Sequence, residues 1–147
     1  DTELVQACAR ELAKKLENTP CDILVTAEAK SIPLAYALAV EMKKPYVIFR
    51  KSYKPYMGKA LQTETLSITT GEPQTLILDE KDFDLIKDKN VVIVDDVIST
   101  GSTLQGMRLL TDKAGGKISA EVAIFTEGER AKWSDVISLG HLPVFTD

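Results

Sequence analysis

The stretch that decides the fold of this chain is Val91-Val92-Ile93-Val94-Asp95-Asp96-Val97-Ile98-Ser99-Thr100-Gly101-Ser102-Thr103. Its four β-branched residues predict a buried strand over 91–94, because such side chains pack well on a pleated sheet. Two carboxylates follow the strand, then a loop of Ser, Thr and Gly. The next segment is amphipathic and predicts a helix from about Ser102 to Ala114, which Gly115-Gly116 ends.

The loop over 99–103 has the composition of a phosphate-binding site. A phosphate at a helix N-terminus meets free backbone N–H groups and the positive end of the helix dipole. Gly101 allows the backbone to approach the anion closely. Thr100, Ser102 and Thr103 can add hydroxyl hydrogen bonds, whereas capping the helix would need only one hydroxyl. We therefore predict that the loop binds a phosphate.

The pair Asp95-Asp96 predicts the rest of the same site. Neighbouring residues of a strand point to opposite faces, so the two carboxylates cannot share one packed core layer. At the end of the strand both can turn toward the crevice where open α/β folds bind ligands. Vicinal sugar hydroxyls or metal-bound water suit such a pair, and the sequence thus predicts a sugar-phosphate site.

The segments around this stretch predict an α/β domain. A strand over 23–25, a helix over 31–42 with Ser31 as its cap, and a strand over 46–49 form a unit that requires parallel pairing. A helix over 3–18 precedes this unit, with an apolar stripe that includes Leu4. A strand over 118–125 and an apolar tail that packs back on the sheet follow the central stretch. The region 50–78 predicts a mobile basic loop and an antiparallel hairpin with its turn at 70–73, and 79–89 predicts one or two helical turns.

Composition places the chain in a broad class. Its 147 residues suit one domain over 1–147, and its net charge of -4 argues against a nucleic-acid partner. No apolar run approaches the roughly 20 residues of a membrane span, and no signal peptide opens the chain. The spacing of Cys8 and Cys21 matches neither a metal site nor a disulfide framework. We therefore expect both to be buried free thiols in a cytoplasmic protein. We expect His141 to be a surface residue without a catalytic role, and Trp133 to serve packing.

Three ordered segments resemble one family. The segment 91–103 resembles the phosphoribosyl pyrophosphate motif of type I phosphoribosyltransferases. The segment 26–31, Thr-Ala-Glu-Ala-Lys-Ser, resembles the pyrophosphate loop of that family, and 50–55, Arg-Lys-Ser-Tyr-Lys-Pro, resembles a run in adenine phosphoribosyltransferases. The resemblance extends from about Glu3 to the end of the chain. It implies a mostly parallel twisted sheet flanked by helices, with a mobile loop and an antiparallel hairpin.

The resemblance also implies an activity. Ribose 5-phosphate would pass from phosphoribosyl pyrophosphate to a purine base, adenine being favoured, with release of pyrophosphate in purine salvage. Asp95 and Asp96 would be catalytic, because nearby carboxylates stabilise the positive charge that develops on the sugar ring. The 5′-phosphate would bind Ser99, Thr100, Gly101, Ser102 and Thr103, and the pyrophosphate would bind Ala29, Lys30, Arg50, Lys51 and Lys54. Mg²⁺ would be the cofactor, held mainly by substrate and water without direct protein ligands. The resemblance further implies a homodimer and a cis non-proline peptide bond in the 26–31 loop.

The chain departs from the family pattern at three places. Ser31 stands where the pyrophosphate loop often has glycine. Thr69-Thr70 precede Gly71 where adenine enzymes place an acid and a tyrosine, so no proton donor to the base is evident. The upstream hood segment of adenine enzymes is expected to be absent. The sequence is therefore also compatible with two alternatives to an adenine-type transferase. One is a hypoxanthine- or xanthine-type transferase, and the other is a non-catalytic regulator that binds phosphoribosyl pyrophosphate or a nucleotide.

Overall fold

The computed structural model describes residues 1–66 and 72–143, and its regular elements are both helices and strands. They are α1 (Thr2–Lys15), β1 (Ile23–Ala27), α2 (Ile32–Met42), β2 (Tyr46–Phe49), β3 (Leu61–Leu66), β4 (Pro73–Leu78), α3 (Phe83–Ile86), β5 (Asn90–Ile98), α4 (Ser102–Lys113), β6 (Lys117–Glu127) and β7 (Ile137–Leu142). Short 3₁₀ helices cover Pro55–Met57, Glu80–Asp82 and Arg130–Trp133. Within the described ranges, none of the helices is long and apolar enough to cross a bilayer.

The central sheet has five strands in the order β2-β1-β5-β6-β7, and every neighbouring pair is parallel. Strands β3 and β4 form a separate antiparallel pair in which Leu61 lies opposite Leu78. The predicted α/β class, with its mostly parallel sheet and its hairpin, is confirmed. Residues 67–71, which include the first half of the predicted 70–73 turn, lie outside the described residues.

Strand β5 separates two hydrophobic clusters. Val91 and Ile93 face a cluster that includes Met107 of α4, whereas Val92 and Val94 belong to the cluster formed with α1 and α2. All four strand residues are inaccessible to solvent. A strand buried on both faces must be apolar throughout, which explains the uninterrupted run of β-branched residues. The position of β5 at the centre of the sheet therefore follows from its composition.

The strand with the acid pair is longer than predicted. β5 continues to Ile98, so Asp95 and Asp96 lie inside the strand and not after its end. The reason is the neighbouring strand β6, which itself extends to Glu127 and pairs with β5 as far as Ile98 opposite Thr126. The prediction placed the ends of both strands too early because the sequence does not show the length of the partner strand.

Other local predictions were also corrected. α1 ends at Lys15 and not at residue 18, and Leu4 is 63% exposed although it was assigned to the apolar stripe. His141 is half-buried: one ring nitrogen lies 2.8 Å from Thr126 Oγ1 and the other lies 2.8 Å from the Gly128 carbonyl oxygen. The parallel pairing of β7 with β6 places His141 opposite Thr126, so its prediction as a surface residue was wrong.

The remaining side-chain predictions agree with the structure. Cys8 and Cys21 are free, buried thiols. Trp133 is 8% exposed and belongs to the cluster under α4, which confirms its packing role. The tail beyond β6 does return to the sheet, as the parallel edge strand β7.

Candidate active site

Strands β1 and β5 are parallel neighbours, so the segments that follow them meet at one edge of the sheet. Ser31, in the loop after β1, donates its hydroxyl to Asp95 Oδ1 at 2.9 Å and lies 3.4 Å from Asp96 Oδ1. Ser31 occupies the N-cap position of α2 but makes no capping hydrogen bond with its side chain, so its predicted capping role was wrong. The tertiary structure directs this hydroxyl to the acid pair.

Asp95, the first residue of the acid pair, has an unusual protonation equilibrium. Asp95 is 8% exposed, and Asp96 donates its backbone N–H to Asp95 Oδ1 at 2.8 Å. Burial, followed by the side chain of Asp96, raises the pKa of Asp95 to about 7, although the hydrogen bonds from Ser31 and from the Asp96 N–H oppose this shift. Asp95 therefore gains or loses its proton near neutral pH, and a cation close to Asp95 would favour its ionised form.

The loop between β5 and α4 closes the same edge of the sheet. Gly101 has φ +88°, a left-handed conformation that favours glycine, and it directly precedes the first residue of α4. Thr100 Oγ1 lies 3.2 Å from Ser102 Oγ and accepts the Ser102 N–H at 3.3 Å. A cavity of about 100 Å³ is lined by Asp95, Val97, Ile98, Ser99, Thr100, Gly101, Ser102, Thr103 and Leu104. The structure therefore brings the predicted loop and one carboxylate of the acid pair into one cavity.

The loop after β1 carries two of the predicted residues and one that sequence reasoning missed. The peptide bond between Glu28 and Ala29 is cis, as the family resemblance implied. Ala29 and Lys30 are exposed in this loop. Glu28 accepts the backbone N–H of Lys51 at 2.6 Å, and its other carboxylate oxygen lies 3.6 Å from an Arg50 guanidinium nitrogen. Glu28 thus joins the two loops; its position directly before Ala-Lys is the sequence signal that could have identified it.

The basic residues after β2 do not converge on one point. Lys51 lines a cavity of about 280 Å³ together with Ser102, Thr103 and residues of the β3–β4 hairpin. Arg50 lines a different cavity of about 310 Å³, which Tyr46, Tyr56 and Asp79 also line. Lys54 is exposed at the N-terminal end of the 55–57 helix. Of the three predicted cations after β2, Lys51 is therefore the one that shares a cavity with residues of the 99–103 loop.

The comparisons with known proteins agree with this geometry. A family model described as "Phosphoribosyl transferase domain" matches residues 1–138, so this chain belongs to the phosphoribosyl transferase domain family. The hypoxanthine/guanine phosphoribosyltransferase of Methanotorris igneus is 33% identical over 130 residues, which are 88% of this chain and 67% of that protein. The purine biosynthesis transcriptional repressor PurR of Bacillus subtilis is 32% identical over 108 residues, which cover 74% of this chain and 37% of the repressor.

A solved structure supports the same assignment. The adenine phosphoribosyltransferase of Thermoanaerobacter pseudethanolicus superposes with a TM-score of 0.80 and 26% identity, covering 97% of this chain and 83% of that one. The resemblance to type I phosphoribosyltransferases is therefore confirmed, and the two transferases named above are purine phosphoribosyltransferases. The purine bases named for these two transferases differ, so the similarities leave the base open.

Proposed function

We propose that this chain transfers ribose 5-phosphate from phosphoribosyl pyrophosphate to a purine base, with adenine favoured, and releases pyrophosphate. The observation that carries the proposal is that the Ser31–Asp95–Asp96 cluster and the 99–103 loop lie together at the carboxyl edge of the sheet. Such an edge is where open α/β folds bind nucleotides and sugar phosphates. Adenine is favoured by the 50–55 segment and by the similarity to a solved adenine phosphoribosyltransferase.

In this proposal each group has a chemical role. The 5′-phosphate accepts hydrogen bonds from the 99–103 loop, and the ribose hydroxyls face Asp95 and Asp96. The bond from C1 of the ribose to pyrophosphate breaks, and its electron pair leaves with pyrophosphate. A nitrogen of the base then forms a bond to C1 with its lone pair, and the N–H proton of the base passes to the departing pyrophosphate or to water. The acid pair stabilises the positive charge that the ring carries between these two events.

The pyrophosphate would lie over the loop after β1. We propose that the exposed backbone at Ala29 and the ammonium group of Lys30 bind it there. Lys51 approaches from the cavity that it shares with Ser102 and Thr103. Arg50 and Lys54 contribute positive charge from further away, and Glu28 forms an ion pair with Arg50. Positive charge around pyrophosphate stabilises the negative charge that develops on this leaving group as its bond to C1 breaks.

Magnesium fits these residues as an ion held mainly by the substrate. The oxygen atoms of two carboxylates suit Mg²⁺, yet across 1–66 and 72–143 no three acidic, His or Cys side chains cluster as a metal site. We propose that phosphate oxygens and water supply most ligands of the ion. When bound, Mg²⁺ would neutralise part of the pyrophosphate charge.

The test is the release of pyrophosphate from phosphoribosyl pyrophosphate and Mg²⁺ with adenine, hypoxanthine, guanine or xanthine. We expect adenine to give the highest kcat/KM. Asp96→Asn should lower turnover at least about tenfold, or about 1.4 kcal/mol of transition-state stabilisation, with an unchanged circular dichroism spectrum. The matched control is Asp84→Asn, because Asp84 is exposed on α3 away from the cavity. Unchanged turnover in Asp96→Asn would remove its catalytic role, and no turnover with any base by folded, ligand-binding protein would contradict the proposal.

A second candidate function is a regulator that binds phosphoribosyl pyrophosphate or a nucleotide without catalysis. The similarity to the repressor of Bacillus subtilis is the observation in its favour. A regulator should bind phosphoribosyl pyrophosphate yet fail to exchange labelled pyrophosphate with a nucleotide. Exchange at a rate that depends on Asp96 would exclude this alternative.

We also propose that the protein is a cytoplasmic homodimer. Tyr36 and Val40 lie one helical turn apart on α2 and are each more than half exposed, and neighbouring exposed apolar side chains favour association. Two free cysteines are consistent with a reducing compartment. Sedimentation equilibrium should give twice the mass of the chain, and Tyr36→Lys should shift the protein toward monomer.

A further inference from the structure

The 99–103 loop rests on an aromatic ring from a distant part of the chain. A Cβ atom built on Gly101 would lie 2.6 Å from Trp133 Cη2, so the indole ring packs directly against the Gly101 backbone. Trp133 is 8% exposed, and its Nε1–H donates to the Glu127 carbonyl oxygen at 2.8 Å. The ring is therefore fixed to the end of β6, and the Gly101 backbone cannot move toward it.

Lys132, the residue before Trp133, contacts Thr100, the residue before Gly101 in the loop. Lys132 donates its ammonium group to the Thr100 carbonyl oxygen at 3.4 Å. The same ammonium nitrogen lies 5.0 Å from the centroid of the Trp133 ring, within the range of a cation–π interaction. Two consecutive residues of the 130–133 helix thus contact two consecutive residues of the loop.

We propose that Lys132 and Trp133 are positioning residues that set the affinity of the loop for a phosphate monoester. The proposal deepens the proposed function, because it assumes that the 99–103 loop receives the 5′-phosphate. A loop that already holds its N–H groups in the binding orientation loses little conformational entropy when the anion arrives. Trp133 restricts Gly101 from behind, and Lys132 restrains Thr100 through its carbonyl group. Both residues act through the loop and not on the reacting atoms.

The composition of the chain supplies a direct probe. Trp133 is the single tryptophan among the 147 residues, so intrinsic fluorescence reports on the ring behind the loop. We expect ribose 5-phosphate to change the intensity or wavelength of tryptophan emission saturably. Ribose, which lacks the phosphate, should leave the emission unchanged at the same concentrations.

The test measures the Kd of ribose 5-phosphate by calorimetry, together with kcat and KM for phosphoribosyl pyrophosphate. Lys132→Met should weaken binding about fivefold, as expected for one lost hydrogen bond of ordinary strength, and Lys132→Arg should restore it to within about twofold. Trp133→Leu should weaken binding about tenfold or more, and Trp133→Phe, which keeps a ring against Gly101, should weaken it less. In the Lys132 variants KM should rise while kcat stays within about twofold. The matched control is Lys15→Met, since Lys15 is an exposed lysine in the last turn of α1.

Each outcome has a consequence. If Lys132→Met and Trp133→Phe both bind ribose 5-phosphate within about twofold of the wild type, the positioning proposal is wrong. If Trp133→Leu fails to fold, Lys132→Met and Trp133→Phe still test the positioning proposal. If ribose 5-phosphate binds with the expected dependence on Lys132 but no base yields pyrophosphate, the positioning proposal stands and the transferase activity fails. If ribose 5-phosphate does not bind to folded protein, the positioning proposal is wrong, and the release of pyrophosphate from phosphoribosyl pyrophosphate still decides the transferase proposal.

Discussion

At the scale of single residues, the unusual feature is a buried carboxyl group whose charge is easily lost. Asp95 is held between the Ser31 hydroxyl and the backbone N–H of Asp96, and its pKa is raised to about 7 by burial and by the neighbouring carboxylate. A carboxyl group in this state destabilises the ligand-free protein when it ionises. Functional sites often carry such a cost, because the ligand that binds there supplies the compensating charge.

Asp95→Asn should stabilise the ligand-free protein in a pH-dependent way. The ordinary pKa of an aspartate in the unfolded chain is about 4, so between pH 4 and 7 the folded state retains a proton that the unfolded state has lost. The free energy of unfolding of the wild type should therefore fall as the pH rises through this window and level off above about 7. Between pH 5 and pH 8, Asp95→Asn should gain about 2 kcal/mol relative to the wild type, measured by urea unfolding. The exposed Asp84→Asn should show no such gain, and equal pH profiles for Asp95→Asn and wild type would contradict the assigned pKa.

At the scale of elements, helix α4, which follows the 99–103 loop, is held by contacts on two of its sides. Arg108 donates two hydrogen bonds to Glu121 of β6, one of them 2.6 Å long from Nη2 to Oε1. On the other side Thr65 of β3 donates to the Ser102 carbonyl oxygen at 3.5 Å. Gly106 allows α4 to lie close to the β3–β4 hairpin, since a Cβ atom at this position would lie 3.1 Å from Leu76 of β4. The sheet and the hairpin together determine where the first turn of α4 points.

Arg108→Met should destabilise the protein more than the loss of an ordinary surface ion pair. The Glu121 side chain is 10% exposed, so removal of its partner leaves a nearly buried carboxylate unpaired. Because the Arg108 side chain is 42% exposed, we expect a loss of about 1–2 kcal/mol in the free energy of unfolding at pH 7. Lys14→Met is the matched control: its pair with Glu11 is mostly exposed and should change stability by less than about 0.5 kcal/mol. Equal effects of the two substitutions would show that the α4–β6 pair does not stabilise the fold.

At the scale of the whole molecule, the two hydrophobic clusters share one sheet. One cluster lies under α1 and α2 and includes Leu38; the other lies under α4 and the hairpin and includes Met107 and Trp133. Alternate residues of β5 belong to the two clusters, so loss of either layer exposes the same strand. We therefore expect the two layers to unfold together in one transition.

Leu38→Ala tests this cooperativity. Leu38 is inaccessible to solvent, and its truncation should lower the free energy of unfolding by about 2–5 kcal/mol. Although Trp133 lies in the other cluster, its fluorescence should report the same shifted midpoint as far-UV circular dichroism. Met107→Ala, made in the cluster of Trp133, is the matched variant and should also move both signals equally. A shift of the dichroism midpoint alone in Leu38→Ala would show that the layers unfold separately.

The sequence was most informative where local chemistry leaves few alternatives. The apolar run 91–94 was correctly predicted as a buried strand, and the glycine at 101 was expected where the backbone has positive φ. Predictions were wrong where a distant partner decides the outcome. Strand β5 is longer than predicted because β6 supplies further hydrogen bonds, and His141 is half-buried because β7 lies beside β6. A single sequence does not show such pairing.

The sequence by itself determined the α/β class, the parallel sheet, and the order of the acid pair, loop and helix, because these depend on side-chain periodicity and on the backbone preferences of a few residues. The tertiary structure alone decided what surrounds them. It turned Ser31 from an expected cap into a donor to Asp95, placed Glu28 between two loops, and set Trp133 behind Gly101. These contacts join residues 23 to 64 positions apart in the chain, and only the register of the strands determines which of them meet.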